Sequence, residues 1–141
     1  MTPVDVALVR RKLARIVQNL DSLRAAESLT LAEYLADRFR QKGIEKLIQE
    51  VVESAVDANL HLLRDVGRAA PDYYSSFLEA GRAGIITPEL GRALAPAAGL
   101  RNRLVHEYEQ IDDATVLAAV ATARRQFTEY VRHVETYLET R

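Results

Sequence analysis

The sequence predicts an all-α protein, folded as an antiparallel bundle of about five helices. Apolar residues recur at intervals of three and four over most of the chain, and helix-capping residues stand where these stretches begin. No useful length of sequence alternates between apolar and polar residues as a strand does. The chain has 141 residues, of which 48% are hydrophobic. That length suits one hydrophobic core, so we interpret 1–141 as a single domain.

The first helix is predicted to begin near Val6. From there the apolar residues follow an alternating spacing of three and four, which places them on one stripe of a helix. The stripe consists of Val6, Val9, Leu13, Ile16, Leu20 and Leu23. Such a stripe normally exists to be buried, so we expect it to pack on other helices, within the bundle or across a dimer.

A second helix is predicted to begin at Thr30, because Glu33 stands three residues later and can complete a capping box. The helical pattern continues past Gly43, which weakens a helix by ~1 kcal/mol relative to Ala. We therefore predict one long helix with a possible bend near Gly43. It ends near Gly67, and Pro71 prevents its immediate continuation.

The second half of the chain predicts three further helical segments. A two-turn helix spans about 72–80, and Thr87-Pro88 has the residue types that begin a helix. Pro96 predicts a kink or a restart before Leu100, because an interior proline removes one hydrogen bond. The last helix follows Asp112-Asp113, and its apolar face consists of Leu117, Val120, Phe127, Val131, Val134 and Leu138.

Composition excludes several classes of function. The chain contains no cysteine, so it has no disulfide, thiolate metal site or cysteine nucleophile. No stretch approaches the ~18 apolar residues of a membrane span, and the N-terminus does not resemble a signal peptide, so we expect a cytoplasmic protein without membrane contact. The net charge is -1. Any contact with RNA is therefore predicted to be local.

Polar groups concentrate in one segment, Gly99 to Tyr108. Within it stand Arg101, Asn102, His106 and Tyr108. This pattern resembles the nuclease motif of the HEPN superfamily, an arginine followed by a polar residue and then a histidine. The HepT branch adds a tyrosine two residues after the histidine, which Tyr108 matches. The order of helices, with Pro-Asp-Tyr-Tyr at 71–74 in the short middle helix, is also similar.

The resemblance implies a metal-independent endoribonuclease toxin that uses no cofactor and cleaves tRNA or mRNA. It implies a homodimer in which Arg101 and His106 of both chains face one another as catalytic residues. From the chemistry of the side chains, Asn102 could orient His106 or bind phosphate, and Arg103 could contact phosphate or be a solvated surface residue. The resemblance further implies a minimal nucleotidyltransferase antitoxin as partner. That enzyme adenylylates Tyr108 and so places a phosphate beside the site.

The chemistry fits these residue types. Imidazole can act as acid or base near neutral pH, and a guanidinium matches phosphate oxygens with its planar fork. On one straight helix, however, Arg101 and His106 point roughly 140° apart. Asn102 and His106 share a face. We therefore expect the helix to end near His106 and the partner chain to complete the site.

Other polar residues have competing interpretations. Glu50, Glu53, Asp57 and His61 share one face of the second helix and could form a metal site, but we expect them to pair with arginines of the motif helix. His133 is expected to be exposed. Tyr108 could simply be packed in the core.

The sequence leaves two further questions open. Arg82, Arg92, Arg101 and Arg103 could form a local phosphate-binding patch or be a scattered solvated surface. The alternative to a ribonuclease is a noncatalytic helical module that binds and regulates a nucleotidyltransferase. A bundle that binds a small ligand or nucleotide is the third interpretation.

Overall fold

The computed structural model describes residues 5–141, except for the side chain of Tyr108. Residues 1–4, where no signal peptide is expected, lie outside this range. The described chain is all-helical, as predicted, with six α-helices instead of about five and no strand. The helices are α1 (Val6–Ser22), α2 (Leu31–Ala36), α3 (Arg38–Asp65), α4 (Tyr73–Arg82), α5 (Pro88–His106) and α6 (Asp113–Glu139). Short 3₁₀ turns lie at Arg24–Ser28 and Tyr108–Gln110.

The break between α2 and α3 corrects the predicted single long helix. The capping box is confirmed, since Glu33 N donates to Thr30 Oγ1 over 3.1 Å and Thr30 N donates to Glu33 Oε1 over 2.9 Å. The helix then ends at Asp37, whose backbone is extended (φ -131°) and whose carboxylate accepts from Arg40 N at 3.0 Å. An aspartate that caps a new helix ends the preceding one. α3 then continues without interruption through Gly43.

The end of α3 confirms the prediction at Gly67. Its φ of +73° is a left-handed conformation that disfavours residues with a Cβ. Arg68 N donates to Leu63 O at 2.9 Å, and Gly67 N donates to Arg64 O at 3.1 Å. These two bonds form the Schellman motif that satisfies carbonyls at a helix end.

α5 is one continuous helix from Pro88 to His106, so the predicted restart before Leu100 is wrong. Pro96 removes only one intrahelical hydrogen bond. Leu94 and Ala95 before it and Ala98 after it are fully buried. Burial on both sides holds the two halves of α5 in one helix, and the motif therefore stands on a long, supported element.

α4 and α5 meet at two glycines. A Cβ on Gly91 would lie 2.6 Å from the carbonyl oxygen of Phe77, and a Cβ on Gly81 would lie 2.9 Å from Pro88 Cα. Both distances are too short for any larger residue. The backbones of α4 and α5 are thus in direct contact, which fixes the second half of α4 relative to the start of the motif helix.

The predicted apolar stripes form the core. On α1, the residues Val9, Leu13 and Ile16 are at most 2% exposed, and on α6 the buried residues include Val120 and Phe127. Burying such side chains stabilises the fold by ~1.5–3 kcal/mol each. The stripes are therefore confirmed as interior surfaces of the bundle.

A buried polar chain connects α6, α3 and α4. Tyr130 Oη lies 2.6 Å from Asn59 Oδ1 and 3.0 Å from Ala55 O, Asn59 Nδ2 donates to Ser76 Oγ at 3.3 Å, and Ser76 Oγ donates to Tyr73 O at 2.8 Å. Burial raises the pKa of Tyr130 well above its usual value. This series of buried hydrogen bonds fixes the first turn of α4, which carries Tyr73.

Across residues 5–141, none of the helices combines the length and the apolar character that crossing a bilayer requires.

Candidate active site

The motif residues occupy the last two turns of α5. The helix begins with Thr87, which accepts from Leu90 N at 3.2 Å, and it ends at His106, with Glu107 N donating to Arg103 O at 2.9 Å. The predicted end near His106 is thus confirmed. Arg101 and His106 both lie inside the helix, so their directions follow its helical rotation.

Arg101 is held by three neighbours. Its Nε and Nη2 donate to the same oxygen of Glu53, Oε2, over 2.9 and 2.7 Å. Its guanidinium carbon lies 4.6 Å from the centre of the Tyr73 ring, within cation-π range. Nη1 donates to Asn102 Oδ1 at 3.3 Å. The side chain is only 17% exposed, so Arg101 is a fixed and partly desolvated cation.

Glu53 confirms one part of the pairing predicted for the acidic stripe of α3. The other members of the stripe do not contact the motif. Asn19 Nδ2 donates to Glu50 at 3.1 Å, Lys12 pairs with Asp57 at 3.1 Å, and His61 Nε2 accepts from Asp5 N at 2.9 Å. α3 packs against both α1 and α5. Only Glu53 faces α5, and the other three face the N-terminal part of the chain.

His106 and Asn102 are exposed on α5. Their separation of four residues places them on one face of the helix. Among the side chains that the structure describes, none forms a hydrogen bond with the His106 imidazole. The helical rotation separates His106 from Arg101 by roughly 140°. One chain therefore presents an ordered cation and a free imidazole on different faces of α5.

Arg103 stands at the rim of an apolar groove. The groove has a volume of about 300 Å³ and lies between α3, α5 and α6, with Pro96, Ala97, Leu100 and Ala118 among its lining. Within the described residues, no carboxylate pairs with Arg103. Arg82 pairs with Glu79, and Arg92 lies 3.9 Å from Glu89. The four arginines therefore do not act as one free basic patch, although Arg103 keeps its charge uncompensated.

The family of the chain follows from comparison with known proteins. The family model described as HepT-like ribonuclease matches residues 13–134, which is most of the chain. The chain belongs to the HepT-like ribonuclease family. It is 37% identical to the tRNA nuclease HepT of Aphanizomenon flos-aquae over 99% of its own length and 96% of that protein.

Solved structures show the same fold for this HepT-like chain. The cytosolic protein YutE of Bacillus subtilis superposes with a TM-score of 0.85 at 16% identity, covering 99% of this chain and 94% of that one. A tri-AMPylated HEPN toxin of Shewanella oneidensis, solved in complex with its MNT antitoxin, superposes with a TM-score of 0.82 at 20% identity, covering 92% and 97%.

Tyr108 begins the 3₁₀ turn Tyr108–Gln110 that follows α5 in the HepT-like chain. Its side chain lies outside the described part of the structure. Its predicted adenylylation, and the alternative that it is core packing, therefore stay predictions at this point.

His133 is not simply exposed, which corrects the expectation. Its side chain is 23% exposed, and its Nδ1 accepts a hydrogen bond of 3.3 Å from the backbone N of Thr87. This bond gives the backbone N–H of Thr87, the capping residue of α5, an acceptor, so His133 supports the start of the motif helix. The two residues are far apart in sequence, and only the packing of α6 beside α5 brings them together.

The sequence pattern alone missed the role of Tyr73 and the specific choice of Glu53. Tyr73 belongs to the Pro-Asp-Tyr-Tyr segment, a signal without an assigned purpose until its ring is seen against Arg101. Glu53 shared its stripe with three similar polar residues. In the described part of the HepT-like chain, no group of three or more His, Cys, Asp or Glu residues could hold a metal ion.

Proposed function

We propose that this chain is a metal-independent endoribonuclease toxin that cleaves RNA with Arg101 and His106 at the interface of a homodimer. The observation that carries the proposal is the ordered Arg101, paired with Glu53 and stacked on Tyr73, on the same helix as the exposed His106 five residues later. The relationship to a tRNA nuclease supports RNA as the substrate class, and tRNA is the first RNA to test.

The reaction requires one base, one acid and a cation. The His106 imidazole takes the proton of the ribose 2′-hydroxyl, and the 2′-oxygen attacks phosphorus. The bond from phosphorus to the 5′-oxygen then breaks, and a protonated imidazole, His106 of the partner subunit, donates its proton to that oxygen. Arg101 stabilises the charge on the phosphorane oxygens. The products are a 2′,3′-cyclic phosphate and a free 5′-hydroxyl.

A second copy of the chain supplies the second imidazole. Gly99 supports this arrangement, because a glycine inside a helix destabilises it by ~0.5–1 kcal/mol relative to Ala. Gly81 and Gly91 are required by the contact of α4 with α5, but a Cβ on Gly99 would meet only the tip of Arg103, at 3.6 Å. Gly99 lies one turn before Asn102 on the exposed side of α5. We infer that another α5 approaches closely there, which brings the two motifs together.

Total RNA and tRNA incubated with the wild type, Arg101→Ala and His106→Ala proteins test the proposal. We expect cleavage by the wild type that persists in EDTA, leaves cyclic phosphate ends and falls by about 100-fold or more in both variants, to a residual rate that excess enzyme can measure. Arg92→Ala is a matched control, since Arg92 lies on α5 and pairs only with Glu89. Unimpaired cleavage by both variants contradicts the assignment. A wild type that binds a nucleotidyltransferase but never cleaves RNA favours the noncatalytic module.

Mixed dimers test the composite site. Wild-type and His106→Ala chains are co-expressed with different tags and the mixed dimer is purified. If the base and the acid come from the two chains, the mixed dimer has a single imidazole and should cleave RNA far more slowly than at half the wild-type rate. Mixed dimers with about half of the wild-type activity contradict a site shared in this way.

We also propose that a minimal nucleotidyltransferase antitoxin silences the enzyme by adenylylating Tyr108. The Shewanella oneidensis toxin is described as tri-AMPylated and in complex with such an antitoxin. Tyr108 follows His106 by two residues, so a phosphate on its hydroxyl would stand beside the substrate phosphate and repel it. Mass spectrometry of the chain co-expressed with the antitoxin should find AMP on Tyr108 and none on Tyr108→Phe. AMP on a different residue alone contradicts this role.

A further inference from the structure

We propose that Glu53 is a positioning residue of the active site and that it acts through Arg101, with the Tyr73 ring as the second support. The inference rests on the proposed function, in which Arg101 stabilises the reacting phosphate. It extends that function to α3 and α4, which carry no part of the Arg-Asn-x₃-His motif.

The ion pair between Glu53 and Arg101 has a defined geometry. A single carboxylate oxygen, Glu53 Oε2, accepts from both Nε and Nη2 of Arg101, at 2.9 and 2.7 Å. Two donors on one acceptor fix the plane of the guanidinium as well as its distance. The Tyr73 ring, 4.6 Å from the guanidinium carbon, restricts motion perpendicular to that plane. Arg101 therefore has one defined orientation.

Arg101 keeps N–H donors that its contacts with Glu53 and Asn102 do not use. A guanidinium has five N–H donors. Glu53 uses one on Nε and one on Nη2, and Asn102 uses one on Nη1. One N–H on each of the two terminal nitrogens is left, and these can bind two oxygens of a phosphate. Glu53 thus orients the cation without consuming its phosphate-binding capacity.

Glu53 and Tyr73, the two supports of Arg101, are themselves held in place. Gln49 Nε2 donates to Glu53 Oε2 at 3.1 Å, and the neighbouring Val52 is 1% exposed. The carbonyl of Tyr73 accepts from Ser76, which belongs to the buried chain through Asn59 to Tyr130. Both supports are therefore set by the core. Orienting a long arginine side chain in advance removes an entropic barrier from the chemical step.

The test compares Glu53→Gln with Glu50→Gln. Both variants remove a carboxylate from α3, but Glu50 accepts from Asn19 and does not contact Arg101. For Glu53→Gln we expect kcat to fall by about 10- to 100-fold with KM nearly unchanged. Glu50→Gln should keep wild-type kinetics. The ¹⁵N NMR signal of Arg101 Nε should shift in Glu53→Gln and remain in place in Glu50→Gln.

A double-variant cycle establishes that Glu53 acts through Arg101. In an Arg101→Ala background, Glu53→Gln should cause no further loss of cleavage. An unchanged or raised kcat for Glu53→Gln overturns the inference. So does a double variant whose loss of cleavage equals the product of the losses of the two single variants. If Arg101→Ala itself cleaves RNA like the wild type, the proposed function fails instead, and the two failures are thereby distinguished.

If circular dichroism shows that Glu53→Gln does not fold, a second pair of variants tests the positioning of Arg101. Tyr73→Leu removes the ring against Arg101, and Tyr74→Leu is its control, since Tyr74 is 51% exposed. We expect Tyr73→Leu to lower kcat by about tenfold and to broaden the Arg101 Nε signal. Equal kinetics and spectra for the two leucine variants contradict the positioning of Arg101.

Discussion

Arg101 and His106 differ most in their surroundings. Arg101 is 17% exposed, and at that burial a cation needs compensation, which Glu53 provides. His106 is the last residue of α5 and is exposed. A partly buried cation stays in place, whereas an exposed imidazole is free to exchange protons with solvent. These are the properties that a charge stabiliser and an acid-base group respectively require.

Arg101→Lys tests the need for a planar fork. A lysine keeps the charge, but its ammonium is a point charge without the planar fork that gives Glu53 and a phosphate separate pairs of N–H donors. We expect kcat/KM to fall by about 100-fold or more, the usual range for removing one oxyanion-stabilising donor. Arg92→Lys is the control on the same helix. Activity of Arg101→Lys within about twofold of the wild type would show that charge alone suffices.

Burial of Tyr130 makes the free energy of unfolding fall at alkaline pH. Its pKa is raised by burial in the folded state, so it stays neutral there while the unfolded chain ionises near pH ~10. Its contribution is therefore complete below pH ~10 and is lost as pH rises further. Urea unfolding between pH 8 and 11 should show a steeper loss for the wild type than for Tyr130→Phe. Parallel pH profiles would contradict this assignment.

At the scale of helices, local rules decided most boundaries. The caps at Thr30, Thr87 and Asp112 and the end at Gly67 follow residue types that act within one turn. Asp37 and Pro96 illustrate the limit. An aspartate can cap a helix or sit within one, and at Asp37, whose chain neighbours are exposed, the hydrogen bond from Arg40 N accompanies the break. A proline can end a helix or be tolerated, and at Pro96 the burial of residues on both sides accompanies one continuous helix.

The glycines of α5 give a matched test of helix contacts. Gly91→Ala would place a Cβ 2.6 Å from a carbonyl oxygen of α4, so we expect it to destabilise the fold by ~1–3 kcal/mol. Gly99→Ala meets only the Arg103 side chain, so we expect a gain of up to ~1 kcal/mol from helix propensity. Urea unfolding of the two variants measures both effects. Equal changes would contradict the contact of α4 with α5.

On the scale of the whole molecule, Arg101 and His106 lie on different faces of α5, so under the proposed mechanism one chain is incomplete. The net charge is -1, so general attraction does not concentrate RNA on the surface. Most described cations near the motif are paired, and Arg103 is an exception. Two copies joined at α5 would double the local cations and imidazoles at one point, which fits the proposed dimeric enzyme.

Gly99→Leu tests that dimer without disturbing the monomer. Within the chain a Cβ at this position meets only the end of the flexible Arg103 side chain, whereas a leucine here would obstruct a second helix that approaches closely. We expect a monomer by sedimentation velocity, a wild-type circular dichroism spectrum and loss of RNA cleavage. Ala93→Leu is a control on the same helix, about two turns before the motif. A fully dimeric and active Gly99→Leu protein contradicts the approach of α5 at Gly99.

The sequence by itself determined the helical class, the apolar stripes and the motif of Arg101, Asn102 and His106, because periodicity, caps and motif spacing are local properties of the chain. Only the tertiary structure decided that Glu53, and not Glu50 or Asp57, pairs with Arg101, that Tyr73 supports it, and that His133 accepts a hydrogen bond from Thr87, the capping residue of α5. These contacts join residues more than 25 positions apart. Their choice depends on how helices rotate and approach one another in the core, which local patterns do not specify.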